Sequence, residues 1–378
     1  MISYGRHSIN SQDIADVVKT MQGDWLTIGP KVEEFESHLE KFTSTPTIAV
    51  SSGTAALHCA FAAIQLTSGD EVITPPITFI ATQATAALFG AKIVFADVLP
   101  DTGNIDPAEV EKAITPRTKA IVAVDFAGHP ADLDELRAIA SRKGIYLIED
   151  AAHSFGSKYR GTYVGSIADI TTFSFFPTKN ITTGEGGALA SIDSDLLKRA
   201  KLFSKQGLIK DSLNFQLQGE GAWHQEVHEF GLNYRLSDIS SALGISQLNR
   251  FEEFRANREM VFRRYQTNLE VIDALKLPTK KDYVEPFWHL FPIQVKPKHR
   301  ENFFEYMHSR GIKVQVNYLP AHLHPVFKKF GFKRGDFPVS ENFYSGEISL
   351  PIYSGLTESQ VDLICETIHE YFERKLWV

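Results

Sequence analysis

Cysteine is scarce. Cys59 and Cys365 are the only two in 378 residues, and each stands alone in an apolar context. Isolated thiols make neither a disulfide framework nor a metal knuckle, and they fit a reducing cytoplasm. Positive charge is not in excess either. The formal net charge is −7, whereas a nucleic-acid binder would show a basic excess or stripe. The richest basic run, residues 327–334, reads as a solvated loop face. Long apolar runs are missing too. The first ten residues lack an apolar core of signal-peptide type. The stretch from Ala55 to Leu66 is broken by His58 and Gln65 and is too short to span a bilayer. These absences predict a soluble, cytoplasmic protein that binds neither nucleic acid nor membrane.

Metal-ligand spacing is also wanting. His224-Gln-Glu-Val-His228 places its glutamate wrongly for H-E-x-x-H, and His322-Leu-His324 is a lone pair; exposed loop histidines account for both, and no metal is expected.

What is present is ordinary globular material: 43% hydrophobic and 22% charged residues. Apolar spacing predicts helices over 12–20 and 31–42, separated by the loop Asp24-Trp-Leu-Thr-Ile-Gly-Pro30. From residue 47 short apolar runs alternate with helical stretches. Strands are expected at 47–50, 71–74, 92–95, 120–124 and 146–149, with helices over 78–89, 107–114 and 132–142. The pattern is that of an α/β protein with a mainly parallel central sheet and helices on both faces. Two further strands are expected at 169–175 and 187–191. Residues 236–268 predict one helix about 50 Å long if continuous, at ~1.5 Å per residue, long enough to bridge two units. Beyond it the pattern turns α+β, with strands at 290–295 and 313–316 and helices over 298–310 and 358–375. A boundary near 255 divides the chain into a large domain, 1–255, with its N-terminal segment, and a smaller C-terminal α+β domain, 256–378.

Four local features carry chemistry. Ser52-Gly53-Thr54 joins a strand to a helix whose free N–H groups and dipole suit a phosphate, although a plain N-cap explains the same residues. It is neither a P-loop nor a G-x-G-x-x-G turn. Glu149-Asp150 ends a buried strand, where parallel sheets bind ligands. The two side chains should face opposite ways, so one carboxylate meets the ligand and needs a cationic partner, such as a protonated pyridinium nitrogen; a helix-capping Asp is the alternative. Lys179 stands in Ser174-Phe-Phe-Pro-Thr-Lys-Asn-Ile-Thr-Thr-Gly-Glu-Gly-Gly187, at a strand end, amid hydroxyls and before a glycine run. Partial desolvation beside a cation lowers a lysine pKa, as Schiff-base chemistry requires, although an exposed loop lysine would read the same. Phe79, just after a strand, can stack on a flat cofactor or belong to the core.

Taken together and in this order, these segments resemble the DegT/DnrJ/EryC1/StrS sugar aminotransferases, which are fold-type-I pyridoxal-phosphate enzymes. Gly29-Pro-Lys-Val-Glu-Glu-Phe35, Ser51-Ser-Gly-Thr-Ala-Ala-Leu57, Glu149-Asp-Ala-Ala-His153, the segment 174–187 and Gly231-Leu-Asn-Tyr-Arg-Leu-Ser-Asp238 carry the resemblance. It implies that Lys179 forms the Schiff base with pyridoxal 5'-phosphate and moves the proton, and that Asp150 holds the pyridinium nitrogen. It places His153 near the ring 3-oxygen and Phe79 on the ring face. Gly53, Thr54 and Ser174 would hold the phosphate, joined by Asn233 from a partner subunit, which makes the active sites of a homodimer shared. Many relatives carry histidine where Phe176 stands, so a substrate contact made by that histidine is not expected here.

The resemblance also implies transamination from an amino acid, usually L-glutamate, to a nucleotide-linked keto sugar. Tyr4-Gly-Arg-His, residues 24–30, Val316-Asn-Tyr318-Leu-Pro and Glu347-Ile-Ser-Leu-Pro351 are most similar to the branch that aminates C4 of UDP-2-acetamido-2,6-dideoxy-4-keto sugars on the pseudaminic acid route. Trp288-His-Leu290 and Ala321-His322 resemble a second branch that also works at C4 of a UDP-sugar. His289 and Tyr318 are substrate-side candidates. Amination at C3 of a dTDP-keto sugar remains open. A pyridoxal-phosphate dehydratase would carry histidine in place of Lys179, and a non-catalytic regulator would have lost Lys179 or Asp150; both residues are present.

Overall fold

The computed structural model describes residues 1–217 and 221–374. Two helices, α1 (Ser11–Met21) and α2 (Pro30–Thr43), precede the sheet. Asn10 and Asp13 close a capping box at the start of α1, and Pro30 opens α2 where a missing N–H costs nothing. The sheet begins with β1 (Thr47–Val50), β2 (Glu71–Thr74), β3 (Lys92–Phe95), β4 (Thr118–Val124) and β5 (Tyr146–Asp150). Between them run α3 (Gly53–Ala63), α4 (Ala81–Leu88), α5 (Pro107–Ala113) and α6 (Leu133–Lys143).

Strands Ile170–Ser174 and Gly187–Ala190 complete a seven-stranded sheet in the order β1, 187–190, 170–174, β5, β4, β2, β3. The pairings from 170–174 through to β3 are parallel, and 187–190 runs antiparallel to both of its neighbours. The expected mainly parallel α/β sheet of a fold-type-I enzyme is therefore the sheet found. β2 and most of β4 and β5 are buried on both faces, which is why they read as unbroken apolar runs.

Glycine decides one close approach. A Cβ on Gly187 would lie 2.5 Å from the Ser52 carbonyl carbon, and one on Gly53 would lie 2.7 Å from Ser174 Cβ. Only glycine at these positions lets the start of α3 rest on the ends of strands 170–174 and 187–190.

Two expectations fail. The single helix over 236–268, which follows α7 (Ser194–Ser204), is two, α8 (Asp238–Asn249) and α9 (Phe251–Leu269). They meet at Arg250, whose φ −104°, ψ 11° is not helical. Its guanidinium is drawn aside to Asp13 and to the Ser8 carbonyl, tying the N-terminal segment down. Residues 313–316 form no strand; Gln315 makes only an isolated bridge to Ser349. The hairpin-like pair Phe291–Gln294 and Glu347–Leu350 is antiparallel and packs with the buried face of α9 and with helix Glu358–Glu373, where the C-terminal helix was expected as far as 375. Residue 375 lies outside the described residues. No helix among the described residues is long and apolar enough to cross a membrane.

Candidate active site

β5 and strand 170–174 end side by side, and the N-terminus of α3 lies against the second. The carboxyl end of a parallel sheet is where a ligand finds both strand-end side chains and helix N–H groups. A cavity of about 520 Å³ opens there. Its wall includes Ser52, Gly53 and Thr54 from the start of α3, Asp150 from β5, and Ser174 and Lys179 from the next strand and its loop. Phe79, His153, His289 and Tyr318 also line it. Seven of the ten residues that the sequence singled out as catalytic, cofactor-binding or substrate-side lie within 53–179 and the other three far beyond; this one cavity gathers nine of the ten.

The Asp150 side chain is buried and oriented from two sides. Thr82 Oγ1 donates to Oδ2 at 2.8 Å, and the Ala152 N–H donates to Oδ1 at 3.2 Å. Burial raises its pKa, while those two donors and the charge of Lys179 act against the rise. Glu149 points the opposite way, as strand alternation requires, and accepts from Thr171 Oγ1 at 2.8 Å.

Lys179 follows the strand on a turn closed by its own N–H to the Phe176 carbonyl, 2.9 Å away. Desolvation brings its ammonium down to about 8; Asp150 opposes that fall and Arg258 adds to it. An amine in this range is unprotonated to about a tenth at neutrality, far more than an ordinary lysine, which is what a nucleophilic lysine needs. His153 and His289 are held well below the ordinary histidine pKa, first by burial and then by Lys179. Their rings lie 4.5 Å apart. Tyr318 OH lies 3.2 Å from His153 Nε2, and burial raises its phenol pKa.

Phe79 is 59% exposed and meets the Tyr318 ring at 6.1 Å, so it faces the cavity instead of filling the core. Phe176 also lines the cavity. Asn233 does not: it is exposed, with its backbone bridged to Lys205, and the chain brings it to no other candidate residue.

Several participants went unnoticed in the sequence. Thr82, Tyr4, Asn317 and Glu185 line the cavity; the last three fall inside segments that carry the resemblance but were given no role of their own, and nothing in its local pattern marks Thr82. Arg258 lies behind Lys179, hydrogen-bonded to its carbonyl at 3.5 Å. It did carry a signal: it falls on the buried stripe of Phe251, Phe254, Val261, Phe262, Tyr265 and Leu269, where an arginine is out of place.

Among the described residues no group of three or more histidine, cysteine, aspartate or glutamate side chains is arranged to hold a metal ion. His224 and His228 instead hold Glu226, at 2.9 and 2.5 Å. His322 is not the exposed loop residue expected; it is buried and sits 3.0 Å from Glu341.

Residues 7–369 match the DegT/DnrJ/EryC1/StrS aminotransferase family. Among curated relatives, the spore coat polysaccharide biosynthesis protein SpsC of Bacillus subtilis is 38% identical, over 98% of this chain and 96% of its own length. A UDP-4-amino-4,6-dideoxy-N-acetyl-beta-L-altrosamine transaminase of Campylobacter jejuni is 35% identical over 99% and 98%. Among solved structures, Helicobacter pylori PseC, an aminotransferase involved in the biosynthesis of pseudoaminic acid, has a TM-score of 0.92 at 31% identity, covering 99% of both chains. The PLP form of Streptococcus pneumoniae Spr1654 also has a TM-score of 0.92, at 30% identity over 99% of both chains.

Proposed function

Since the chain belongs to the DegT/DnrJ/EryC1/StrS aminotransferase family and is a pyridoxal-phosphate-dependent sugar aminotransferase, we propose that it moves an amino group from L-glutamate to C4 of a UDP-2-acetamido-2,6-dideoxy-hexos-4-ulose. The observation that carries this choice is the 35% identity, over 99% of the chain, to a transaminase named for a UDP-4-amino-4,6-dideoxy sugar. The identity to PseC supports the same chemistry on a route to pseudaminic acid. The reaction is placed in the cytoplasm, where nucleotide sugars and glutamate meet.

The cavity fits the cofactor. Gly53 lets the α3 N-terminus lie directly against Ser174, so that its N–H groups and the residues Ser52, Thr54 and Ser174 share one wall of the cavity. An oriented, buried carboxylate and a partly unprotonated amine share the same space. When bound, pyridoxal phosphate supplies an aldehyde that joins amines and a ring that takes up the electrons left on a deprotonated carbon.

Each residue then has its task. The α3 N–H groups with Thr54 and Ser174 hold the phosphate. Asp150, fixed by Thr82 and Ala152, keeps a proton on the ring nitrogen through its charge. Lys179 Nζ would hold the cofactor, and as a free amine beside it would take the proton from the donor Cα. His153 would hold the ring oxygen, and Phe79 would stack on the ring; both line the cavity. His289 and Tyr318 face the sugar, the first as a neutral ring.

We assign the second half of the phosphate site to Asn233 of a partner in a homodimer. Supporting this, the arm leading to Asn233 presents Trp223 82% exposed and Phe230 97% exposed, more apolar surface than one segment of an isolated chain usually shows. We also keep the division near residue 255, with 1–255 carrying the cofactor; the core built on α9 and helix Glu358–Glu373 supports it.

The test is an absorbance spectrum of the protein with pyridoxal phosphate, before and after glutamate, for the native chain and Lys179→Ala. A visible protein-linked band that moves to the near ultraviolet with glutamate and is missing in Lys179→Ala is expected. Screening UDP- and dTDP-linked keto sugars by mass spectrometry then decides the acceptor: amination of a dTDP-3-keto sugar in preference to the UDP-4-keto sugar would overturn the substrate assignment.

A further inference from the structure

Arg258 is a buried cation in the middle of α9, 2% exposed. Its five hydrogen bonds all go to backbone carbonyls. Nη1 donates to Trp288 at 3.2 Å, His289 at 3.4 Å and Ile352 at 3.1 Å. Nη2 donates to Thr178 at 3.3 Å and Lys179 at 3.5 Å. Three segments far apart in the chain therefore converge on one guanidinium, and two of them carry Lys179 and His289.

We infer that Arg258 is a positioning residue, which locks the backbone of the cofactor lysine to that of His289 and keeps a fixed positive charge behind the Lys179 amine. The inference rests on Lys179 being the residue that holds the cofactor. A planar fork of five donors suits the clamp in a way that an ammonium would not. Burial brings the guanidinium down to about 10, still far above neutrality, so the charge persists. The nearby acid does not cancel it: Glu347 is itself pushed up to about 8 by burial, and Tyr4 is held protonated by the same cause. Facing Lys179 from the other elements are Asp150, which favours its charge, the neutral His153 and His289, and Glu185 across the cavity. Arg258 is the cation in this set that disfavours a second positive charge on the Lys179 nitrogen.

The experiment follows the visible protein-linked band of the cofactor-loaded protein from pH 6 to 10, with cofactor retention measured by dialysis, for native chain, Arg258→Met, Arg258→Lys and Lys179→Ala. Removing the charge stabilises the protonated nitrogen, so Arg258→Met should raise the band's pH midpoint by roughly two- to tenfold in proton concentration. Arg258→Lys should keep the native midpoint but retain cofactor roughly tenfold less tightly, because the fork is lost. Native midpoint and retention in both variants would overturn the inference, and an equal midpoint shift in both would overturn its electrostatic part. If Arg258→Met does not fold, Arg258→Lys decides by the same two readouts, native retention counting against the clamp. A band that persists in Lys179→Ala would instead defeat the reading of Lys179 itself.

Discussion

Thr82 Oγ1 donates to Asp150 Oδ2 at 2.8 Å, although the two residues lie 68 positions apart. One helix thereby aims the carboxylate that ends the neighbouring part of the sheet. A hydrogen bond to a charged group contributes about 1.5–3 kcal/mol. Thr82→Val keeps the shape and removes the donor. Pyridoxal phosphate should then bind roughly tenfold to a hundredfold more weakly, as read by absorbance titration, with the thermal midpoint of the cofactor-free protein little changed.

Gly53→Ala places a methyl group 2.7 Å from Ser174 Cβ, closer than real contacts allow. The α3 N-terminus must move off the strand ends, at a cost of about 1–3 kcal/mol for overpacking. Calorimetry should show a lower unfolding temperature, and competition between pyridoxal phosphate and inorganic phosphate should show a weakened phosphate site. Native behaviour in both would mean that α3 does not rest on Ser174 as described.

Glu347 supplies a pH signature. Burial raises it to about 8, above its ordinary value, so the folded chain binds this proton more tightly than the unfolded one. The stabilisation is fully present below the unfolded pKa, about 4.3, and is lost as pH rises through about 8. Glu347→Gln stays neutral throughout and can still accept from the Asn317 N–H, which now reaches Oε2 at 2.7 Å. The unfolding temperature of the native chain should therefore fall relative to Glu347→Gln between pH 5 and 8; a constant difference across that range contradicts a buried, protonated Glu347.

The exposed arm tests the homodimer. Phe230→Arg puts a charge on a ring that is 97% exposed in the single chain, so an isolated protomer should tolerate it. In a dimer it should shift light scattering towards monomer and reduce cofactor retention together, because Asn233 would leave the partner's phosphate site. An unchanged dimer with native retention would place the interface elsewhere.

Much of the site was legible because its parts sit at punctuation. Asp150 closes an apolar strand, Lys179 precedes a glycine run, and Ser52-Gly53-Thr54 opens a helix. Each is marked by its immediate neighbours, and the mainly parallel sheet follows from the same alternation. Thr82 was silent, and Asn317 was quoted without a role, because a threonine in a helix or an asparagine in a loop has many uses, and only the partner defines the one in force. The break at Arg250 was equally silent: the apolar pattern runs on through it, while Asp13 and Ser8, more than two hundred residues earlier, draw its side chain away.

By itself the sequence determined the alternation of strands and helices through the central sheet and the residue types able to do this chemistry, because these depend on near neighbours. The tertiary structure alone decided that a cavity gathers nine of the ten predicted residues from chain positions 53 to 318, that Thr82 turns Asp150, and that Arg258 lies behind Lys179. Burial is the physical reason. Desolvation brings Lys179 down to about 8 and keeps His153 and His289 neutral, and a side chain's loss of water is set by everything that packs around it, not by its place in the chain.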